Sequence, residues 1–255
     1  MAARINRLSD HQKELYHRNI IVPEIGEAGQ LKLLHSRVLI IGLGGLGSPA
    51  LLYLAAAGIG KIGILDSDRV ELSNLQRQIL HGREDIGTKK TLSACKSIKR
   101  LNPEVHLTAY PFKFTPANAS KIIAAYDFII EATDNFESKF LINDISVKND
   151  KAFSHAGILG TYGQTTTVVP GQGPCFRCIF KEIPPPDAVK TTAQTGVLGS
   201  VAGVFGAIQA TEAIKYLLKR GNLLVGRLLC WDALTGTFRE VKLPPGMCCD
   251  ICKPA

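Results

Sequence analysis

The feature that most narrows what this chain can fold into is a short apolar run, Val38–Ile41. It is broken at once by Gly42, Gly44 and Gly47 in the spacing GxGxxG, then followed by small and apolar residues to Ala57. The pattern reads as strand, tight turn, helix. Glycine is needed where backbone turns sharply and approaches phosphate closely, and the helix that follows offers unpaired N–H groups and a positive dipole end to an anion. Pro49 suits the first turn of that helix, where a missing N–H costs nothing. Lys61–Leu65 reads as the next strand and ends in Asp66, 19 residues beyond Gly47, where a ribose-binding carboxylate is expected. A glycine-tight turn without a ligand would explain the glycines alone. It leaves unexplained Asp68, Asn74, Arg77 and Gln78 in DSDRVELSNLQRQ, a run too polar for an ordinary turn into a surface helix. The stretch is read as a nucleotide site, with the nucleotide still open.

The rest of the chain bounds the fold. At 255 residues it can bury one large core, and a single unit is favoured over two modest ones. Hydrophobic residues at 45% and charged residues at 20% exclude disorder and fibrous folds. Apolar stretches end well short of the roughly 20 residues of a membrane span, so no membrane partner is expected. The start, MAARINRLSDHQKELYHRN, lacks the apolar core of a signal peptide, so a cytoplasmic protein is expected. The net charge of +8 is scattered, which favours anionic small ligands over nucleic acid.

In chain order, Ser9 or Asp10 can cap a helix carrying Leu15, Tyr16 and Ile20, and a second helix spans Gly26 to His35. Arg18, in YHRN, reads locally as a solvated helix residue. Ile79 to Gly87 is a loop, and Thr88 opens a helix to about Leu101 that carries Lys89 and Lys90. Lysines at that end oppose the helix dipole unless an anion sits there. A strand from Glu104 to Tyr110, a helix from Pro116 to Tyr126 and a buried strand from Asp127 to Glu131 follow. The turn from Ala132 to Asn135 lies at the carboxyl end of that strand, where open α/β sheets bind ligands, so Asp134 is a candidate for magnesium or for capping the next helix. That helix spans Phe136 to Asn149, and Lys151 to His155 is the next strand. The alternation indicates a doubly wound parallel sheet. Thereafter Gly163 to Pro170 reads as an antiparallel or edge strand and Lys181 to Gly196 as a mobile surface loop. Ser200 to Arg220 reads as a helix packed through glycine and alanine, and Gly226–Trp231 with Thr237–Leu243 as a terminal hairpin.

Cys175 and Cys178 form one CxxC and Cys249 and Cys252 a second, seventy residues apart. Four thiolates so arranged suit a tetrahedral structural Zn²⁺, and Cys248 is the spare thiol. Cys95 and Cys230 stand alone in apolar or helical surroundings and read as structural.

Together these residues make the chain similar, over essentially its whole length, to the MoeB/ThiF/HesA family, the bacterial relatives of ubiquitin-activating enzymes. The likeness rests on YHRN, GLGGLG, LDSDRVELSNLQRQ, GTKK, ATDN, both CxxC pairs and GAIQATEAIKYL. It implies a Rossmann-like, mostly parallel sheet with an antiparallel C-terminal extension and a zinc site. The expected unit is one adenylation domain over 1–255: N-terminal helices in 1–36, nucleotide core in 37–160, and crossover loop, helix, hairpin and zinc site in 161–255. It also implies that the C-terminal glycine carboxylate of a small ubiquitin-like sulfur carrier, ending in Gly-Gly, attacks the α-phosphate of ATP and releases pyrophosphate. The carboxylate is already ionised, so the site has only to orient reactants and neutralise phosphate charge.

By that resemblance Gly42, Gly44, Gly45 and Gly47 cradle the nucleotide, and Asp66 holds the ribose. Asn74, Arg77 and Lys90 contact phosphates, and Asp68 and Gln78 belong to the same nucleotide pocket. Asp134 holds Mg²⁺, a hard cation suited to carboxylate and phosphate oxygens. Arg18 reaches the nucleotide of a second subunit, so a homodimer is implied. Carriers of thiamine, molybdopterin or cysteine pathways fit equally. Several relatives carry a cysteine four or five residues before the glycine of a Gly-Val pair, here Gly196 and Val197. Thr192, Thr191 and, with one residue more, Lys190 occupy those positions. The expected reaction therefore stops at the adenylate, which passes to a separate sulfur donor. An NAD-dependent oxidoreductase shares the glycine turn and ribose acid but has no use for Asn74, Arg77 and Asp134. Two further readings are a relative acting on a peptide or tRNA and a non-catalytic zinc adaptor.

Overall fold

The structure, a computed structural model, describes residues 7–185, 188, 192–244 and 246–252. Its strands are β1 (Arg37–Ile41), β2 (Lys61–Leu65), β3 (His106–Tyr110), β4 (Phe128–Glu131), β5 (Ala152–Leu159), β6 (Tyr162–Val168), β7 (Arg227–Asp232) and β8 (Thr237–Lys242). They form one sheet in the order β3-β2-β1-β4-β5-β6-β7-β8. From β3 to β5 neighbouring strands run parallel, and β6, β7 and β8 are added antiparallel. The helices are α1 (Asp10–Leu15), α2 (His17–Ile20), α3 (Gly26–His35), α4 (Gly47–Ala56), α5 (Lys90–Leu101), α6 (Pro116–Ala124), α7 (Phe136–Lys148), α8 (Phe176–Ile179), α9 (Thr192–Thr195) and α10 (Gly199–Leu218).

The two-residue period of a strand divides β1 between two cores. Val38 and Ile40 face Leu51 of α4, Ile98 of α5 and Phe205 of α10 on one side of the sheet. Leu39 and Ile41 face Ile123 of α6 and Phe140 of α7 on the other. Each such side chain, buried, contributes about 1.5–3 kcal/mol. This is the doubly wound arrangement that the alternation of elements predicts. The small residues of α10 act as expected at two places. A Cβ on Gly206 would lie 2.3 Å from the Leu46 carbonyl oxygen, and one on Gly199 would lie 2.5 Å from that of Gln76. The start of α10 is thereby seated against the segment carrying Arg77. Among the described residues no helix is long and apolar enough to cross a membrane.

Several expected boundaries move, each for a local reason. The first helix divides at Tyr16, whose buried hydroxyl accepts a hydrogen bond from Asn102 (2.8 Å), while Ser9 forms its capping box with Gln12. The helix expected from Thr88 begins at Lys90, because the Thr88 carbonyl is engaged by Val70 N–H (2.9 Å) in a short bridge between Arg69 and Lys89. The β3 strand begins at His106 rather than Glu104, and β5 runs on to Leu159, where β6 pairs with it. The β6 strand is antiparallel but interior, since β7 and β8 cover its far side. The stretch expected as an open loop to Gly196 contains α9, and Gly196 accepts a hydrogen bond from Gly160 N–H (3.0 Å). Lys190 and Thr191 lie outside the described residues.

Candidate nucleotide site at the switch point of the sheet

From β1 the chain builds outward through β2 and β3, then returns to place β4 on the other side of β1. At such a reversal the loops leaving the two strands diverge and open a crevice at their carboxyl ends. Both turns there are in contact. Gly42 has φ 98°, and a Cβ on it would lie 2.5 Å from the Ala132 carbonyl oxygen; one on Gly47 would lie 1.9 Å from the Gly42 carbonyl oxygen. Only glycine fits at either position.

The peptide of Leu43 is held on both sides. Its N–H donates to Asp66 Oδ2 (2.8 Å), and its carbonyl oxygen lies 3.2 Å from His81 Nε2. His81 Nδ1 lies 2.8 Å from Ser93 Oγ, which donates to Asp85 (2.7 Å). Burial lowers the His81 pKa, opposed by the Leu43 contact and reinforced by the nearby Lys90 cation. Asp66 also accepts from Asp68 N–H (2.8 Å). Lys90 Nζ stands 3.1 Å from Asp68 and 4.0 Å from Asp66, with its side chain only 8% exposed. The cation that a helix start disfavours is thus met by two carboxylates of the chain itself.

Arg77 lies over the glycine turn, since a Cβ on Gly45 would be 3.4 Å from its Cγ, and its guanidinium donates to the Ser73 carbonyl (3.2 Å). Asn74 Oδ1 accepts from Glu71 N–H (3.1 Å) and so closes the turn that delivers Arg77. Gln78 is buried near Gly44, and its Oε1 has no hydrogen-bond partner among the described residues. An orphaned buried acceptor costs about 1–3 kcal/mol. A ligand donor would relieve it.

Asp134 is exposed on the turn after β4. Helix capping is not its role, because Asn135 caps α7 by accepting from Ser138 N–H (2.9 Å). Beneath this turn lies a cluster that sequence reasoning missed. Glu131 is wholly buried, with Lys139 Nζ at 2.9 and 3.1 Å and His155 Nδ1 at 2.7 Å. Burial alone would raise the Glu131 carboxyl, but the Lys139 cation, then His155 and Thr133, bring it down to about 2. Burial and Lys139 lower the His155 pKa against the pull of Glu131, so a neutral ring donates its Nδ1–H. The available signal was an acid closing the apolar strand DFII. Gln209 of α10 ties the same place to its helix, donating to the carbonyls of Glu131 (2.7 Å) and Ser154 (3.0 Å).

Arg18 is the site candidate that the structure keeps out of this crevice. It is exposed on α2, and its neighbour Asn19 lines a hollow of about 310 Å³ with Ala56 and Ala57 at the end of α4 remote from Gly47. The ten residues of α4 set these ends about 15 Å apart.

The four cysteines do converge. Their Sγ atoms lie within 4.8 Å of one another, with separations of 3.8 Å (Cys175–Cys178), 3.5 Å (Cys175–Cys249), 3.4 Å (Cys178–Cys252) and 3.8 Å (Cys249–Cys252). Tetrahedral Zn–S bonds of about 2.3 Å require edges of about 3.8 Å. Burial pushes the Cys175 thiol up to about 11, whereas Cys252, against burial, is drawn down to about 7 by hydrogen bonds from its neighbours. Cys248 is exposed and outside the cluster.

Fold and site define an open, doubly wound α/β protein with a glycine turn at its switch point and a four-cysteine cluster. Comparison with known proteins makes this particular: the sequence matches the ThiF family over residues 16–250, and the chain belongs to that family. It is 44% identical over 241 residues to the SAMP-activating enzyme E1 of Haloferax volcanii, covering 94% of this chain and 89% of that one. It is 41% identical over 251 residues to the sulfur carrier protein adenylyltransferase of Thermus thermophilus, covering 96% and 93%. The adenylyltransferase and sulfurtransferase MOCS3 of Aedes aegypti is 43% identical over 249 residues, which are 97% of this chain and 57% of the mosquito protein. The chain is accordingly an adenylyltransferase. Among solved structures, the microcin C7 biosynthetic enzyme MccB in complex with N-formylated MccA superposes with a TM-score of 0.82 at 21% identity, covering 95% of this chain and 76% of that one. At that identity the likeness is one of fold.

Proposed function

We propose that this chain binds ATP in the β1–β4 crevice and adenylates the C-terminal glycine of a small ubiquitin-like sulfur carrier ending in Gly-Gly, releasing pyrophosphate. The observation that carries the reading is the convergence on one crevice of groups from separate segments. Gly42–Gly47, Asp66, Arg77 and Lys90 come together there, the turn that carries Asp134 abuts Gly42, and Gln78, near Gly44, has its Oε1 unpaired among the described residues. Two relatives matched over nine-tenths of this chain are named SAMP-activating enzyme E1 and sulfur carrier protein adenylyltransferase, which supports the reading.

The chemistry asks mainly for charge neutralisation and alignment. Lys90 would exchange its contact with Asp68 for phosphate oxygens, while Asp66 keeps the glycine turn in place through Leu43 and presents its remaining acceptor capacity to the ribose. Arg77, braced over Gly45, would receive charge from the phosphates. Asn74 shapes the turn that aims it. Asp134 and Asp68 supply oxygens of the kind that hold Mg²⁺ with phosphates, and the ion would add positive charge there. The four cysteines would hold Zn²⁺, which ties the C-terminal segment to α8 and serves the fold. Arg18, remote from its own crevice, would serve that of a second copy, making the working form a homodimer of single adenylation domains. With no cysteine at Thr192 or Thr191, the adenylate would pass to a separate sulfur donor.

The test is ATP/pyrophosphate exchange with a panel of ubiquitin-like carriers ending in Gly-Gly. Exchange should depend on the carrier and be lost in Arg77→Ala and in Asp134→Ala. Exchange unchanged in both variants removes their roles, and no exchange with any carrier removes the reading.

A further inference from the structure

The structure assigns a positioning role to the buried pair Glu131 and Lys139: together they clamp Thr133, and so fix the backbone that presents Asp134 to a metal-bound phosphate. This rests on the reading of Asp134 given above.

Thr133 donates its N–H (2.7 Å) and its Oγ1 hydroxyl to Glu131 Oε1, and its carbonyl oxygen accepts from Lys139 Nζ (2.8 Å). Every polar group of the residue preceding Asp134 is therefore engaged from below. Lys139 also donates to the Ala156 carbonyl (2.9 Å), which anchors the clamp to β5, and His155 takes the second Glu131 oxygen. On the other side of Asp134, Asn135 is fixed as the cap of α7. The carboxylate stays exposed while the backbone on both sides of it is held. A sealed ion pair is a poor device for stability alone, because desolvation offsets most of its attraction. What it supplies here is direction: among the described residues the Lys139 ammonium donates to the Thr133, Ala156 and Glu131 oxygens. Misplacement of a reacting group by about 1 Å can cost two orders of magnitude in rate, so a fixed turn has value at this place.

The experiment uses the full chain with Glu131→Leu and Lys139→Met combined, which removes the clamp without leaving a lone buried charge. Glu131→Gln with Lys139→Met is the milder companion, keeping an acceptor for Thr133. Two readouts are taken. Amide hydrogen exchange at Thr133 and Asp134 should accelerate at least about tenfold while the protection of β1 and β2 is unchanged. In ATP binding followed against added Mg²⁺, the half-saturating magnesium should rise about tenfold, with metal-free ATP affinity unchanged. The milder pair should fall between. Unchanged protection at Thr133 overturns the clamp, and faster exchange with unchanged magnesium dependence overturns the positioning role. Metal-free ATP affinity falling in parallel would show a merely structural loss and overturn it too. Neither readout needs a carrier, so a wild-type protein that turns over no carrier defeats the proposed reaction while leaving this test decisive.

Discussion

The turns after β1 and β4 touch each other and face the same crevice, yet they are held in place by opposite means. The first is shaped by missing side chains: Gly42 and Gly47 allow a backbone approach that any Cβ would block, and Asp66 and His81 hold the peptide between them. The second is shaped by side chains in excess, with an acid, a lysine and a histidine sealed under residues 132–135. The approach of Gly47 to the Gly42 carbonyl is local and can be written in a few letters, even though Gly42 itself also meets Ala132 of the other turn. A turn braced by buried charge needs three elements to arrive together, and it fails as a unit when one is removed.

That contrast can be broken most forcefully at Lys139. Lys139→Met alone leaves the Glu131 carboxylate buried without its cation and should cost about 3–5 kcal/mol in chemical denaturation. Pairing it with a neutral residue at Glu131 should restore most of that loss. If the single variant is as stable as the parent, the second turn is not braced by charge. The next effect in size belongs to Gly47→Ala, where a Cβ must displace the Gly42 carbonyl. A cost of about 3 kcal/mol in thermal unfolding is expected. Nucleotide binding should weaken with it, while amide protection at Thr133 stays as it was. Loss of protection at Thr133 in this variant would mean that the two turns are one cooperative unit. The smallest effect sharpens the comparison: Asn135→Ala removes the α7 cap and should lower stability by about 1 kcal/mol. Its effect on magnesium dependence should be well below that of the clamp variants, since Thr133 remains held; an equal effect would shift the positioning role to the cap.

Much of the site was legible because its residues sit in short, chemically dense runs. Gly42 to Gly47 and Asp66 follow from strand, turn and strand spacing, and the polar excess of residues 66–78 marks Arg77 and Gln78. Both CxxC pairs were equally plain, and their four Sγ atoms meet as expected. The errors came where a local pattern met a distant partner. Thr88 reads as a helix start, but its carbonyl accepts from Val70 N–H and α5 begins at Lys90. The threonine-rich strand read as antiparallel or edge is antiparallel, and β7 and β8 make it interior. Glu131 passed as the end of an apolar strand because its partners lie 8 and 24 residues away.

By itself, then, the sequence determined most of the elements, the doubly wound order of its first half, the glycine turn and the two cysteine pairs, and it marked the residues proposed for the crevice. Those features depend on backbone sterics, side-chain period and ligand chemistry that act within a few positions. Only the tertiary structure decided which turn abuts which and that a buried charge cluster underlies Asp134. The pairing of a sealed charge depends on the approach of elements remote in the chain, and no local rule encodes that approach.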